Sequence, residues 1–212
     1  MTTTSSRSEF SISSDGAELE AEWARPDGAQ ATVVLSHPHP QYGGDMWNPL
    51  VDHLYRALPD RGIAALRYNF RGTGASTGSF DGGSGERHDA AAAFAAAADV
   101  VPQGPVVSVG WSFGAVMSLS ADHEALCGWV GIAAPMTMDD PSAMTAATDT
   151  RPKLLLVPEY DQFTSPVAAA RATESWNNTT IETLHGTDHS VAGRANDVVD
   201  AIQTMVESFL PQ

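Results

Sequence analysis

The sequence predicts an α/β protein whose sheet is doubly wound and mostly parallel. Three observations support this fold class: apolar strand-like runs alternate with helix-like segments, the strand-like runs are mostly apolar on both faces, and glycine or proline bounds them. Strands that are apolar on both faces are typical of parallel sheets covered by helices on either side. We therefore expect the alternating elements to form one doubly wound sheet.

The predicted elements follow a regular order after an N-terminal hairpin. The stretch EFSISSDGAELEAEWARP has an Asp15-Gly16 turn between two alternating segments, which predicts an antiparallel hairpin at the sheet edge. Parallel strands are predicted over residues 31–37, 62–70, 104–110, 126–134, 153–161 and 179–186. Helices are predicted over residues 46–58, 86–101, 113–126, 165–176 and 191–210.

Length and composition favour one domain. A chain of 212 residues that is 42% hydrophobic can bury a sizeable core, and we expect a single domain over residues 1–212 with a flexible N-terminus over residues 1–8. The connection from 135 to 152 is too short for a lid domain. Because the sequence shows neither a secretory signal nor an apolar run of about 18 residues, a cytoplasmic location is expected.

The chain is strongly acidic, with a formal net charge of -15. Such a surface repels nucleic acids and anionic membranes, so neither is expected as a partner. Asp and Glu number 26 against 11 Lys and Arg, and Lys153 is the one lysine. This balance fits either adaptation to high salt or the Ala- and Arg-rich composition of a GC-rich genome. The sequence leaves the oligomeric state open.

The segment VSVGWSFGAVMS contains a Gly-x-Ser-x-Gly pattern around Ser112. The pattern alone is weak because small residues cluster by chance. Here, however, the serine lies where an apolar strand ends and a helix begins, which is the position of a nucleophile elbow. Bulky residues in place of Gly110 or Gly114 would clash with the adjoining strand and helix. The context predicts Ser112 as a nucleophile.

A serine nucleophile needs a base and an acid that orients the base. Asp161 follows the strand-like run LLLVPEYD and is the predicted acid, with Glu159 as the alternative. His189 is the predicted base because its loop is long enough to fold back over the sheet, whereas His185 directly ends a strand. Nucleophile, acid and base therefore occur in the required order.

Five segments of the chain carry a resemblance to a known family: SHPHPQYGGDMWN, LRYNFRGTGASTGSFDGGSGERHDA, GWSFG, EYDQFTSP and GTDHSV. In these the chain resembles the small, lidless α/β-hydrolases related to dienelactone hydrolase and prolyl-oligopeptidase-type catalytic domains. The resemblance extends along the whole chain and implies an α/β-hydrolase fold and a catalytic triad, but no substrate. Dienelactone hydrolases have a cysteine at the elbow, and Ser112 there disfavours a lactone substrate.

The resemblance also implies an oxyanion hole made by two backbone amides. In many α/β-hydrolases the loop after the third strand supplies one amide, and the residue after the nucleophile supplies the other. Here the loop reads His37-Pro38-His39-Pro40, and prolines have no N–H. The donors available near this turn are then His39 and, further on, Gln41. We expect the backbone amides of His39 and Phe113 to form the oxyanion hole. The two histidines lack a third ligand, so no metal or other cofactor is expected.

The residues together predict a serine hydrolase that forms an acyl-enzyme, most simply a carboxylesterase acting on a small-molecule acyl substrate. A peptidase or thioesterase of the same fold, and a non-catalytic scaffold, are the alternatives. Without a lid, the site is expected to be a shallow cleft at the carboxyl ends of the strands that prefers short acyl chains. Its predicted walls are Tyr42, Met46, Trp47, Trp111, Phe163 and Phe113; Trp111 and Phe113 are equally good candidates for core packing behind the elbow.

Overall fold

The computed structural model describes residues 5–211, and these contain one eight-stranded sheet. Its strands run in the order β1-β2-β4-β3-β5-β6-β7-β8, and β3 to β8 are parallel. The predicted fold class is confirmed. The strands are β1 Ser5–Ser14, β2 Ala17–Pro26, β3 Ala31–Ser36, β4 Ile63–Tyr68, β5 Val106–Trp111, β6 Leu126–Ile132, β7 Lys153–Pro158 and β8 Thr179–Leu184.

The first two strands form the predicted antiparallel hairpin at one edge of the sheet. Its turn residues Asp15 and Gly16 have φ values of 37° and 81°, a left-handed conformation that Asp and Gly tolerate well. The expectation of a flexible segment over residues 1–8 is wrong for residues 5–8, because they pair with residues 23–26 in β2. Residues 1–4 lie outside the described residues.

Helices cover both faces of the sheet, and their apolar faces form two separate cores. One core packs α1 and α6 against the sheet, and the other packs α2 to α5 against the opposite face. The strands β3 to β7 are largely buried because both of their faces are covered, whereas β8, at the edge of the sheet, is half-exposed. The helices are α1 Pro49–Ala57, α2 Ser84–Val100, α3 Phe113–Leu119, α4 Thr145–Thr148, α5 Pro166–Ala172 and α6 Ala195–Glu207.

Helix α3 is shorter than the predicted segment over residues 113–126, because it ends at Leu119. Two carbonyls near its C-terminus accept hydrogen bonds from other elements: Trp129 Nε1 donates to the Ser118 carbonyl, and Thr145 Oγ1 donates to the Ser120 carbonyl. Carbonyls at a helix end need such partners because no later turn satisfies them. The helix therefore stops where long-range contacts replace its own hydrogen bonds.

Parallel strands bring the residues that follow them to one edge of the sheet. The segments after β3, β5, β7 and β8 carry every residue predicted for the catalytic triad and the oxyanion hole. No described helix is both long and apolar enough to cross a membrane.

Candidate active site

Ser112 occupies a sharp turn between β5, which ends at Trp111, and α3, which begins at Phe113. Its φ of 56° and ψ of -120° are strained for a residue with a side chain. The Ser112 N–H donates to the carbonyl of Ile132 at 2.9 Å, which anchors the turn to the neighbouring strand β6. The conformation is that of a nucleophile elbow.

The two glycines that flank Ser112 are required by close packing. A Cβ on Gly114 would lie 2.4 Å from the Ser36 carbonyl oxygen and 2.5 Å from that of His37. A Cβ on Gly110 would lie 2.4 Å from the carbonyl oxygen of Gly114. Helix α3 can therefore approach the end of β3 only because these positions lack side chains.

The structure brings the three predicted triad residues together in one chain of hydrogen bonds. The Ser112 hydroxyl lies 2.8 Å from His189 Nε2, and His189 Nδ1 lies 2.9 Å from Asp161 Oδ2. A carboxylate at Nδ1 favours a proton on that nitrogen, which leaves Nε2 free to accept from the serine. This arrangement can remove the serine proton during nucleophilic attack.

The Asp161 carboxylate is completely buried and has further donors. Its other oxygen accepts from the N–H groups of Phe163 and Thr164, at 2.8 and 3.2 Å. Glu159, the alternative acid, instead accepts from the Gly186 N–H at 2.9 Å and pairs with His185 at 3.3 Å. The Gly186 hydrogen bond is the main reason that the pKa of Glu159 is lowered. Glu159 therefore belongs to a separate, more exposed pair.

The backbone and the imidazole of His189 are each held by an aromatic residue. Trp111 Nε1 donates to the His189 carbonyl at 3.2 Å, and the ring of Phe163 meets the imidazole edge-on with centroids 4.5 Å apart. The neighbouring Asp188 points elsewhere, because it accepts from the N–H and hydroxyl of Ser190. The loop after β8 thus presents His189 to Ser112 in a fixed orientation.

The backbone amides of His39 and Phe113 have no acceptor among residues 5–211. Phe113 is the first residue of α3, where an N–H has no partner within the helix. The contact between Gly114 and the His37 carbonyl brings the start of α3 against the loop that carries His39. Two free donors beside a serine can stabilise a developing oxyanion.

An apolar cavity of about 320 Å³ opens at Ser112 and His189. Of the predicted walls, Tyr42, Trp111 and Phe163 line it, whereas Phe113 is buried in the core. Gly44, in the loop after β3, also lines the cavity. Four further lining residues were not predicted, although two follow β6 and two lie in the loop after β3, at the sheet edge where sites form. These are Pro38, Asn48, Pro135 and Met138.

The prediction that Met46 and Trp47 form walls is wrong. Met46 is completely buried, and its backbone is held by two hydrogen bonds: its N–H donates to Asn69 Oδ1 at 2.8 Å and its carbonyl accepts from Arg67. With its backbone held in this way, the Met46 side chain packs in the interior and does not line the cavity. Trp47 lies outside the cavity, with its ring 5.9 Å from the Arg67 guanidinium.

Both ring nitrogens of His37 are already used in hydrogen bonds. Nδ1–H donates to the Pro38 carbonyl at 2.6 Å, and Nε2 accepts from the Phe70 N–H at 3.0 Å. Neither nitrogen is available to a metal ion. Within residues 5–211, no three His, Cys, Asp or Glu side chains form a cluster that could hold a metal.

Comparisons with known proteins agree with this fold. The chain is 28% identical to a Xanthomonas campestris α/β serine hydrolase without lid, over 97% of this chain and 96% of that one, with a TM-score of 0.83. A Coxiella burnetii α/β serine hydrolase homologue is 25% identical over 96% and 97% of the two chains, with a TM-score of 0.81. The chain is therefore a member of the α/β-hydrolase superfamily.

The family model described as X-Pro dipeptidyl-peptidase (S15 family) matches residues 15–200. The chain belongs to this family, and it is a hydrolase by fold and by family. A 76-residue region is also 46% identical to an uncharacterised protein of Rickettsia prowazekii (strain Madrid E). That match spans 35% of this chain and 32% of the Rickettsia protein.

Proposed function

We propose that the protein is a serine hydrolase that works through an acyl-enzyme, and that its substrates are small carboxylic esters. The observation that carries this proposal is the continuous hydrogen-bonded chain from Ser112 through His189 to buried Asp161, beside an apolar cavity. The order and contacts of these groups fit general-base activation of a serine.

In the acylation step, Ser112 Oγ attacks the carbonyl carbon of the ester while His189 Nε2 takes the hydroxyl proton. The carbonyl oxygen becomes negative, and the amides of His39 and Phe113 donate hydrogen bonds to it. Asp161 remains ionised and stabilises the imidazolium through Nδ1–H. When the tetrahedral intermediate collapses, the bond to the leaving oxygen breaks, and His189 returns its proton to the alcohol.

Deacylation repeats the same steps with water as the nucleophile. His189 removes a proton from water, the resulting oxygen bonds to the acyl carbon, and the oxyanion again accepts from the two amides. Collapse breaks the bond to Ser112 Oγ, which regains its proton from His189, and the carboxylic acid leaves. One molecule of water is consumed for each ester.

The lining of the cavity favours a neutral ester over a dipeptide. The family match makes a peptidase the second candidate, and removing a dipeptide from a peptide N-terminus requires a place for a charged amino group. A buried ammonium needs a carboxylate partner, and the described lining residues include no Asp or Glu. The volume of about 320 Å³ lies at the small end of ligand pockets and supports a short acyl chain.

The proposal is tested with p-nitrophenyl esters of increasing acyl length, the matching thioesters, and aminoacyl-prolyl p-nitroanilides. We expect the short esters to give the highest kcat/KM. Ser112→Ala and His189→Ala should each lower kcat by about 10⁴-fold or more, and Asp161→Asn should be strongly impaired, because the three residues act as a unit.

Matched control variants are available at the neighbouring residues. Asp188→Asn and His185→Ala should keep near-normal kcat, because neither side chain contacts the hydrogen-bonded chain. If the prolyl anilides are cleaved faster than any ester, the esterase proposal is wrong and the protein is a peptidase. A folded protein whose Ser112 does not react with a fluorophosphonate would instead be a non-catalytic scaffold.

A further inference from the structure

The side chain of His39 forms part of the cavity wall, separately from its backbone amide. The imidazole centroid lies 4.8 Å from the ring of Tyr42, 5.0 Å from Phe80 and 4.8 Å from Phe113. Contacts with three aromatic rings hold the imidazole in one orientation, because rotation would break them. The ring is therefore in place before a substrate arrives.

One nitrogen of this ring is occupied within its own loop. The Gln41 N–H donates to His39 Nδ1 at 3.2 Å. Since a nitrogen that accepts carries no proton, a neutral ring must carry its proton on Nε2. Burial lowers the pKa of His39, which favours the neutral ring at pH 7. His39 Nε2–H is then a hydrogen-bond donor.

Among residues 5–211, this donor has no hydrogen-bond acceptor. It is also not one of the fully buried polar atoms. Nε2 is therefore open to solvent, on a ring that lines the same cavity as Ser112 and His189. A donor in this position is satisfied by water in the free protein and by a substrate in the complex.

We propose that His39 determines specificity, by donating a hydrogen bond from Nε2–H to an uncharged oxygen in the substrate, such as that of a ketone, ether or hydroxyl. The inference rests on the proposed ester hydrolysis at Ser112 and names the substrate class of that site. The described lining contains no Lys or Arg, and the net charge of -15 repels anions. A carboxylate would lose its hydration there without gaining a counter-ion.

The test compares two substrates, p-nitrophenyl levulinate and p-nitrophenyl pentanoate, which differ by a single ketone oxygen. Two variants remove the donor from the Nε2 position while each keeps one structural role of the ring. In His39→Asn the side-chain oxygen can still accept from the Gln41 N–H, and the amide nitrogen corresponds to Cδ2 of the ring, one bond short of Nε2. In His39→Phe the aromatic contacts remain and no donor is left. The readout is kcat/KM for the levulinate divided by kcat/KM for the pentanoate. The two esters differ in intrinsic reactivity, but this difference is the same for every variant and cancels when variants are compared.

We expect this ratio to be about threefold to tenfold higher in the wild type than in both variants, which is the effect of one neutral hydrogen bond. A wild-type ratio in either variant overturns the proposal. Binding of the two methyl esters to Ser112→Ala, with and without each His39 substitution, is followed by ligand-observed NMR. If no ester is hydrolysed, the proposed function fails, but binding still tests the role of His39. A preference for methyl levulinate over methyl pentanoate that depends on His39 supports the proposal, and the absence of such a preference overturns it.

Discussion

His37 is the first residue of the loop that carries His39, and its neutral ring is part of the interior. It is completely buried, with its Nε2 accepting from the Phe70 N–H and its ring edge-on to that of Phe70 at 4.8 Å. A proton on Nε2 would remove this acceptor and place a charge among apolar groups. Burial accordingly lowers the pKa of His37 from 6.5 to about 4.

This lowered pKa predicts a loss of stability in acid. Between pH 6.5 and about 4, the unfolded chain binds a proton at His37 that the folded chain does not, so the free energy of unfolding falls as the pH falls. Above pH 6.5 the contribution of His37 to the free energy of unfolding does not change with pH. The loss should reach about 3 kcal/mol at the lower end. Urea unfolding across the window measures it, with His37→Gln as the variant that keeps an acceptor but cannot titrate.

Other titrating groups act equally on both proteins, so the difference between the two pH profiles isolates His37. The glutamine variant should be less stable at neutral pH and should lose less stability in acid. Parallel profiles for the two proteins would contradict the prediction.

The triad side chains could be predicted from the sequence, whereas the direction of the Met46 side chain could not. Ser112, Asp161 and His189 each follow a strand, and parallel strands bring such residues together. Met46 lies in a long loop, where its direction depends on a hydrogen bond to Asn69, 23 residues later. No local pattern of residues reveals such a contact.

At the scale of elements, the contact between α3 and the end of β3 controls the proposed oxyanion hole. Gly114 lies directly after Phe113, and it touches the carbonyls of Ser36 and His37, just before His39. Gly114→Ala would place a methyl group against two backbone oxygens that cannot move without moving both loops. The two amides should then separate.

We expect Gly114→Ala to cost about 1–3 kcal/mol of stability through overpacking and to lower kcat by about 100-fold through loss of an oxyanion donor. Unfolding and ester kinetics measure the two effects. Gly28→Ala is the control, because Gly28 has a φ of 74° and no atom within 4 Å of an added Cβ. The control should lose about 1 kcal/mol and keep its kcat. A Gly114→Ala protein with normal kcat would show that the contact does not position the amides.

The positions of strands were more predictable than the ends of helices. All six parallel strands lie within the runs that predicted them, apart from one residue at the end of β5. In β3 to β7, burial on both faces leaves a strong local signal. Helix α3 ends seven residues early, at Leu119 rather than residue 126, because Trp129 and Thr145 satisfy carbonyls at its end. Those donors come from later segments, so the local helical pattern overestimates the length.

At the scale of the whole molecule, most of the few cations are already paired. The lysine Lys153 is buried, and its ammonium donates to the carbonyls of Asp149 and Asn177. The surface therefore keeps a large excess of carboxylates. Arginines pair with carboxylates at positions 56, 61, 67, 71, 87, 151 and 194.

Such a surface repels itself at low salt, and this repulsion predicts a strong response to KCl. The screening length falls from about 10 Å at 0.1 M to about 3 Å at 1 M, so added salt removes most of the repulsion. A protein adapted to high salt should gain about 5 °C or more in melting temperature and keep its hydrolase activity up to about 2 M KCl. The matched variant replaces four exposed carboxylates that have no side-chain partner in the described chain, through Asp99→Asn, Glu124→Gln, Glu174→Gln and Glu182→Gln. Because it removes four of the surplus charges, it should melt higher than the wild type at low salt and gain less from KCl. If added KCl leaves the melting temperature and the activity of the wild type unchanged or lowers both, the acidity reflects composition alone and not adaptation to high salt.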